Sequence, residues 1–150
     1  MIPIMPKHTA IQKKLQDILS QQNFAELDLF KNTKSWKTLD NADRDLLASL
    51  FIMLGQKQLE KGDKNSQESF DLALKICPDN AEIFYKIGLA FSIPEVNITC
   101  LKNGEEAFQK ALKINPRHFP SWATLGNLYH TIGLFNHDPE SFDESLHCYQ

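Results

Sequence analysis

Near the end of the chain, His130, His137, His147 and Cys148 stand close in sequence to Asp138 and Glu140. Imidazole and thiolate are zinc ligands, but strong zinc motifs set two of them one helical turn apart, and these histidine and cysteine intervals do not. The expected reading is surface histidines in loops, with no metal and no cofactor. Two carboxylate pairs, Glu105-Glu106 and Asp143-Glu144, could in principle divide acid and base roles. Adjacent helix positions do not face a common point, so both pairs read as solvated charge. Glycine-rich phosphate loops, a G-x-S-x-G elbow and an H-E-x-x-H helix are all missing from the sequence, and no enzymatic activity is expected.

Composition narrows the remaining classes. The 150 residues are 42% hydrophobic, enough for one sizeable core. A formal net charge of -3 offers no cationic footprint for nucleic acid. Three cysteines without regular spacing do not make a disulfide framework, which favours reduced thiols and a cytoplasmic setting. The amino terminus lacks the apolar run of a signal peptide, and no stretch reaches bilayer length, so no membrane association is expected. Asn97-Ile98-Thr99 fits a glycosylation acceptor only if the chain is secreted.

Positioning elements follow from apolar periodicity and from proline and glycine punctuation. Helices are expected near residues 8–21, 23–31, 40–61, 65–76, 80–93, 100–114, 118–133 and from 140 onward. Ile11, Leu15, Ile18 and Leu19 recur at helical spacing in the first of these. Gly62-Asp63 breaks one helix pair. Pro78 and Pro116 each close another, because proline brings no amide hydrogen and disfavours helix at the residue before it.

The sequence then repeats itself. Trp122-Ala-Thr-Leu125-Gly126-Asn-Leu-Tyr129 fits W-x2-L-G-x2-Y, and a degenerate copy, Phe84 to Phe91 with Ile87 and Gly88, lies 38 residues earlier. Phe70, Ala73, Leu74 and Pro78 stand in the same offset to Phe108, Ala111, Leu112 and Pro116. On these residues the chain resembles the tetratricopeptide repeat family. The resemblance implies an all-α fold, a right-handed superhelix of antiparallel helix pairs. Residues 48–80 make one repeat and residues 81–118 a second, with an insertion placed between Ser92 and Asn103. Residues 119–150 make a third, with an insertion through Phe135–Pro139 and a truncated end. Residues 1–47 read as a helical cap or a degenerate repeat, in which Thr33, Ser35, Asp40 and Asn41 offer turn and capping chemistry.

What the resemblance implies about function is a non-catalytic adaptor or scaffold that binds a peptide or helix of a partner protein in its concave groove. By the family pattern Ile52, Met53, Gln56, Tyr85, Lys86, Leu89, Thr124, Asn127, His130 and Thr131 face that groove. A subgroup that clamps chaperone carboxylates uses Lys, Asn and Arg at fixed places; Asn127 matches, whereas Ile52, Ala123 and Thr124 depart. Small type III secretion chaperones are similar in size and layout. Alternatives are a docking segment of a larger enzyme or secretion machine, and a homo-oligomer stacked through exposed repeat ends.

Overall fold

The computed structural model describes residues 7–31, 36–92 and 98–150, with side chains from residue 10 onward. The chain divides into two compact units, Met1–Pro78 and Asp79–Gln150.

In the first unit, α1 (Lys7–Gln21) lays Leu15 and Ile18 into the core beside α2 (Asn41–Glu60). Between them the helix expected over 23–31 is present as a 3-10 helix, Phe24–Phe30. The reason lies in the spacing: Phe24, Leu27 and Phe30 are three apart and all buried, and a helix with three residues per turn puts such a set on one edge. Thr33 and Ser35 lie outside the described residues. Asp40 caps α2 by accepting the Asp43 N–H at 2.9 Å. The helix ends at Glu60, and the turn after it passes through Gly62, whose φ of +68° is cheap only without a side chain. The next helix, α3 (Ser66–Ile76), returns antiparallel to α2 and packs Phe70 on Gly55. Its cap, Cys77, donates its thiol to the Asp45 carboxylate at 3.4 Å.

The second unit holds two helix pairs, α4 (Ala81–Phe91) with α5 (Ile98–Ile114), and α6 (Phe119–Asn136) with α7 (Pro139–Tyr149). Asn80 caps α4 by accepting the Glu82 N–H, and Asp138 caps α7 by accepting from Glu140 N and Ser141 Oγ. Parts of both segments expected to hold insertions are helical. Helix α5 already begins at Ile98, while Pro94 and Asn97 lie outside the described residues. Helix α6 runs on past Gly133 through Phe135 and Asn136, and it stops at His137 in the left-handed conformation, φ 52°.

All three pairs use one device. A methyl group on Gly55, Gly88 or Gly126 would lie 2.8, 2.5 or 2.8 Å from the ring of Phe70, Phe108 or Tyr149, so each glycine lets its partner helix approach until an aromatic ring covers the backbone. Gly133 against Phe142 repeats the contact one turn pair along α6, which sets α6 and α7 antiparallel. Small residues Ser66, Gly104 and Ser145 stand four before each ring and are buried. Ser145 Oγ donates to the Gly126 carbonyl at 2.8 Å. Among the described residues every regular element is helical, and no helix is long and apolar enough to cross a membrane.

Candidate functional site

First helices α4 and α6 begin side by side because His118, the residue before α6, reaches both. Its Nδ1 accepts the Ser121 N–H at 3.3 Å, which caps α6, and lies 2.7 Å from Ser121 Oγ. An Nδ1 that accepts leaves the proton on Nε2, which donates to Glu82 Oε2 at 3.0 Å. The Tyr85 ring packs on the same imidazole at 5.2 Å and on Phe108 at 5.9 Å. Glu82, His118 and Ser121 thus form an acid, imidazole and hydroxyl series, the order found in acyl-transfer triads. Ser121 is 0% exposed, so no substrate carbonyl reaches its hydroxyl, and the series serves as a helix cap. The signal was present in the sequence as Pro116-Arg-His118-Phe-Pro-Ser121, but the Glu82 partner lies 36 residues away and only folding supplies it.

The ten residues expected in a groove have different surroundings. Ile52 is 4% exposed and belongs to the core, which corrects its assignment: a first-helix position beside Phe51 is claimed by packing before it can serve a ligand. Tyr85 is half-buried, with its ring committed to Phe108 and His118. Asn127 and His130 are exposed but turn toward α7: Asn127 Oδ1 accepts the Tyr149 hydroxyl, and the His130 ring meets Phe142 edge-on at 5.4 Å. Thr124 and Thr131 return their hydroxyls to the carbonyls of Pro120 and Asn127. Met53, Gln56 and Lys86 are half-buried, and Leu89 is exposed.

Polar groups elsewhere bond within the fold. Glu105 is not merely solvated: it accepts from the Tyr129 hydroxyl at 3.0 Å and from Gln109 at 3.1 Å, so α5 and α6 share a bonded network. Burial pushes the Tyr129 hydroxyl far above the usual phenol range; Gln109 opposes this and Glu105 adds to it. Burial also raises the thiols, that of Cys77 to about 12 and that of Cys148 with help from Glu144. Among the described residues, no three His, Cys, Asp or Glu side chains converge as a metal site; His130 and His147 go to different surfaces.

A groove that the sequence did not reveal opens between α5 and α7. Trp122, Leu125 and Tyr129 floor it, Leu112 and Lys113 stand on one wall and Glu144, His147 and Cys148 on the other, around about 440 Å³. It continues past Trp122 into a second hollow of about 500 Å³ against Phe119 and Tyr149.

Residues 107–141, the second helix of one pair and the first of the next, match a tetratricopeptide repeat family model. Comparison with curated proteins returned no match. Among solved structures, the chain is similar to "MamA RS-1 ArsTM double mutant" at 17% identity and a TM-score of 0.42, over 97% of this chain and 96% of that one.

Proposed function

We propose that this chain, whose residues 107–141 match a tetratricopeptide repeat model, is a non-catalytic interaction module that holds a peptide or helix of a partner protein along its first helices. The observation that carries this reading is the side-by-side start of α4 and α6 at His118, beyond which Leu89 stays exposed with its hydrocarbon in water. Leu89, Lys86, Thr124 and Thr131 supply one apolar contact and a polar surround. A surface of this mixed character suits an extended chain, whose backbone takes the hydrogen bonds while one or two side chains bury apolar area.

Tyr85 is a poor position to mutate for a test, since its ring holds two neighbours in place. Leu89→Glu changes an exposed side chain. Affinity capture from source-cell extract, with bound proteins identified by mass spectrometry, should retain a partner on the native chain that Leu89→Glu loses while its helical circular dichroism is unchanged. Equal retention by both would remove this surface from the proposal.

A further inference from the structure

The groove between α5 and α7 is charged differently at its two ends. Gln109 lies at the level of Tyr129, since its amide nitrogen is 3.1 Å from the Tyr129 hydroxyl. Lys113 stands one turn further toward the end of α5, from which the short turn over 115–118 leads to Trp122. Across the groove, the contacts of Gly133 with Phe142 and of Gly126 with Tyr149 run α7 antiparallel to α6. Glu144 therefore sits toward Tyr129, and Cys148 toward Trp122. Behind burial and Glu105, the Glu144 carboxylate also raises the Tyr129 hydroxyl, as its place at this end requires.

The result is a cation on the α5 wall at the Trp122 end and an anion on the α7 wall at the Tyr129 end. Both side chains are exposed, and among the described residues neither takes part in an ion pair. Between them the lining is apolar, with Leu112 on one wall, Cys148 on the other, and Leu125 and the Trp122 ring beneath. The indole N–H is spent on the Pro116 carbonyl at 2.9 Å, which leaves the ring's hydrocarbon to the groove. All of these residues lie on three helices packed on one another, and the outer side of α7, with Leu146, takes no part.

These spacings fit an extended chain. Trp122 and Tyr129 are seven residues apart on α6, which is about 10 Å along its axis. A strand advances about 3.3 Å per residue, so three residues cover that length, and side chains three apart leave a strand on opposite sides. Lys113 and Glu144 stand on opposite walls in the same way, and the two residues between would face Cys148 and Leu112 in turn. A segment with acid at both places would meet Glu144 as a like charge, and one with base at both would meet Lys113 so. Within this chain, Asp28-Leu29-Phe30-Lys31 has the mixed pattern. It is wound along the 3-10 helix and its cap, with Phe30 buried and Lys31 paired to Asp28 at 3.0 Å, so a second copy does not present it extended.

We infer that the groove between α5 and α7 binds an extended segment of another protein in which an acidic and a basic residue, three apart, enclose two apolar ones. The acidic side chain pairs with Lys113 and the basic one with Glu144. This surface is separate from that of Leu89, and either assignment stands if the other fails.

The probes are short peptides, acetylated and amidated so that their ends carry no charge: Gly-Glu-Leu-Leu-Lys-Gly, the reverse order Gly-Lys-Leu-Leu-Glu-Gly, and versions with two glutamates or two lysines. Binding to the full chain is followed by NMR through the Trp122 indole N–H signal, while that of Trp36, which is 7% exposed, should stay in place. One mixed order should bind about fivefold or more tighter than either uniform peptide. Glu144→Lys, an exposed change, should shift the preference to the two-glutamate peptide, and Lys113→Glu should shift it to the two-lysine peptide, with helical circular dichroism unchanged in both. At saturation the tighter mixed peptide should also slow alkylation of Cys148 and leave that of Cys100 as it was. No binding, mixed and uniform peptides binding alike, a preference that ignores both charge reversals, or an indole shift without protection of Cys148 would overturn the inference. So would a concentration-dependent dimer in sedimentation that Glu144→Lys dissolves, since a second copy would then occupy the groove.

Discussion

The helix pairs α4/α5 and α6/α7 are built alike, with an aromatic ring on the glycine of the first helix, yet Phe108 is 0% exposed and Tyr149 is 54% exposed. The local contact is the same in both. What differs is the following element: α6 covers Phe108, while Tyr149 meets only its own pair. A ring left half in water is served by a hydroxyl, and that of Tyr149 bonds Asn127. A repeat motif therefore specifies how two helices approach each other, and its worth in stability depends on what stacks against it next.

Deleting the two rings tests this most directly. Phe108→Ala should cost about 3–5 kcal/mol and Tyr149→Ala about 1 kcal/mol in urea unfolding, because only the first opens a cavity. Equal losses would break the comparison. A smaller effect comes from the glycines. Gly88→Ala forces a methyl group against Phe108, which is enclosed on every side, and should cost about 1–3 kcal/mol. Gly126→Ala pushes on a ring that has room to swing outward, and should cost under about 1 kcal/mol by the same measurement. A Gly126→Ala penalty as large as that of Gly88→Ala would mean that Tyr149 is held as firmly as Phe108.

The smallest effect is in the thiols. Cys77 closes the α2/α3 pair, and burial with the Asp45 hydrogen bond lifts it from 9.0 to about 12. The stabilisation belongs to the protonated form, so it is fully present below pH 9.0 and fades as pH rises toward about 12. Cys77→Ser should therefore flatten the alkaline fall in melting temperature. Cys148 lines the open groove, and alkylation followed by mass spectrometry should modify it before Cys77. The reverse order would show that the groove is closed in solution.

Much of the fold was legible beforehand, and for identifiable reasons. Pro78, Pro116, Gly62 and the two copies of the glycine motif are local signals that act within a few residues, so helix number and pairing could be read from them. Apolar residues over 23–31 signal a helix but not its type: Phe24, Leu27 and Phe30 are buried on one edge of a 3-10 helix. Among the expected groove residues, the family pattern indicated which helix each would occupy but not what each would touch. Tyr85 went to Phe108 and His118, and Asn127 to Tyr149, because a side chain at a nominally outward position is taken by any neighbour within reach.

The sequence by itself determined where helices start, stop and approach, since proline, glycine, caps and apolar spacing act through the backbone nearby. Only the tertiary structure decided the bonded series from Glu82 through His118 to Ser121, the hollow over Trp122, and the contrast between a covered Phe108 and an exposed Tyr149. Each of these depends on atoms far apart in sequence, whose separation is set by how helices stack and not by any single residue's preference.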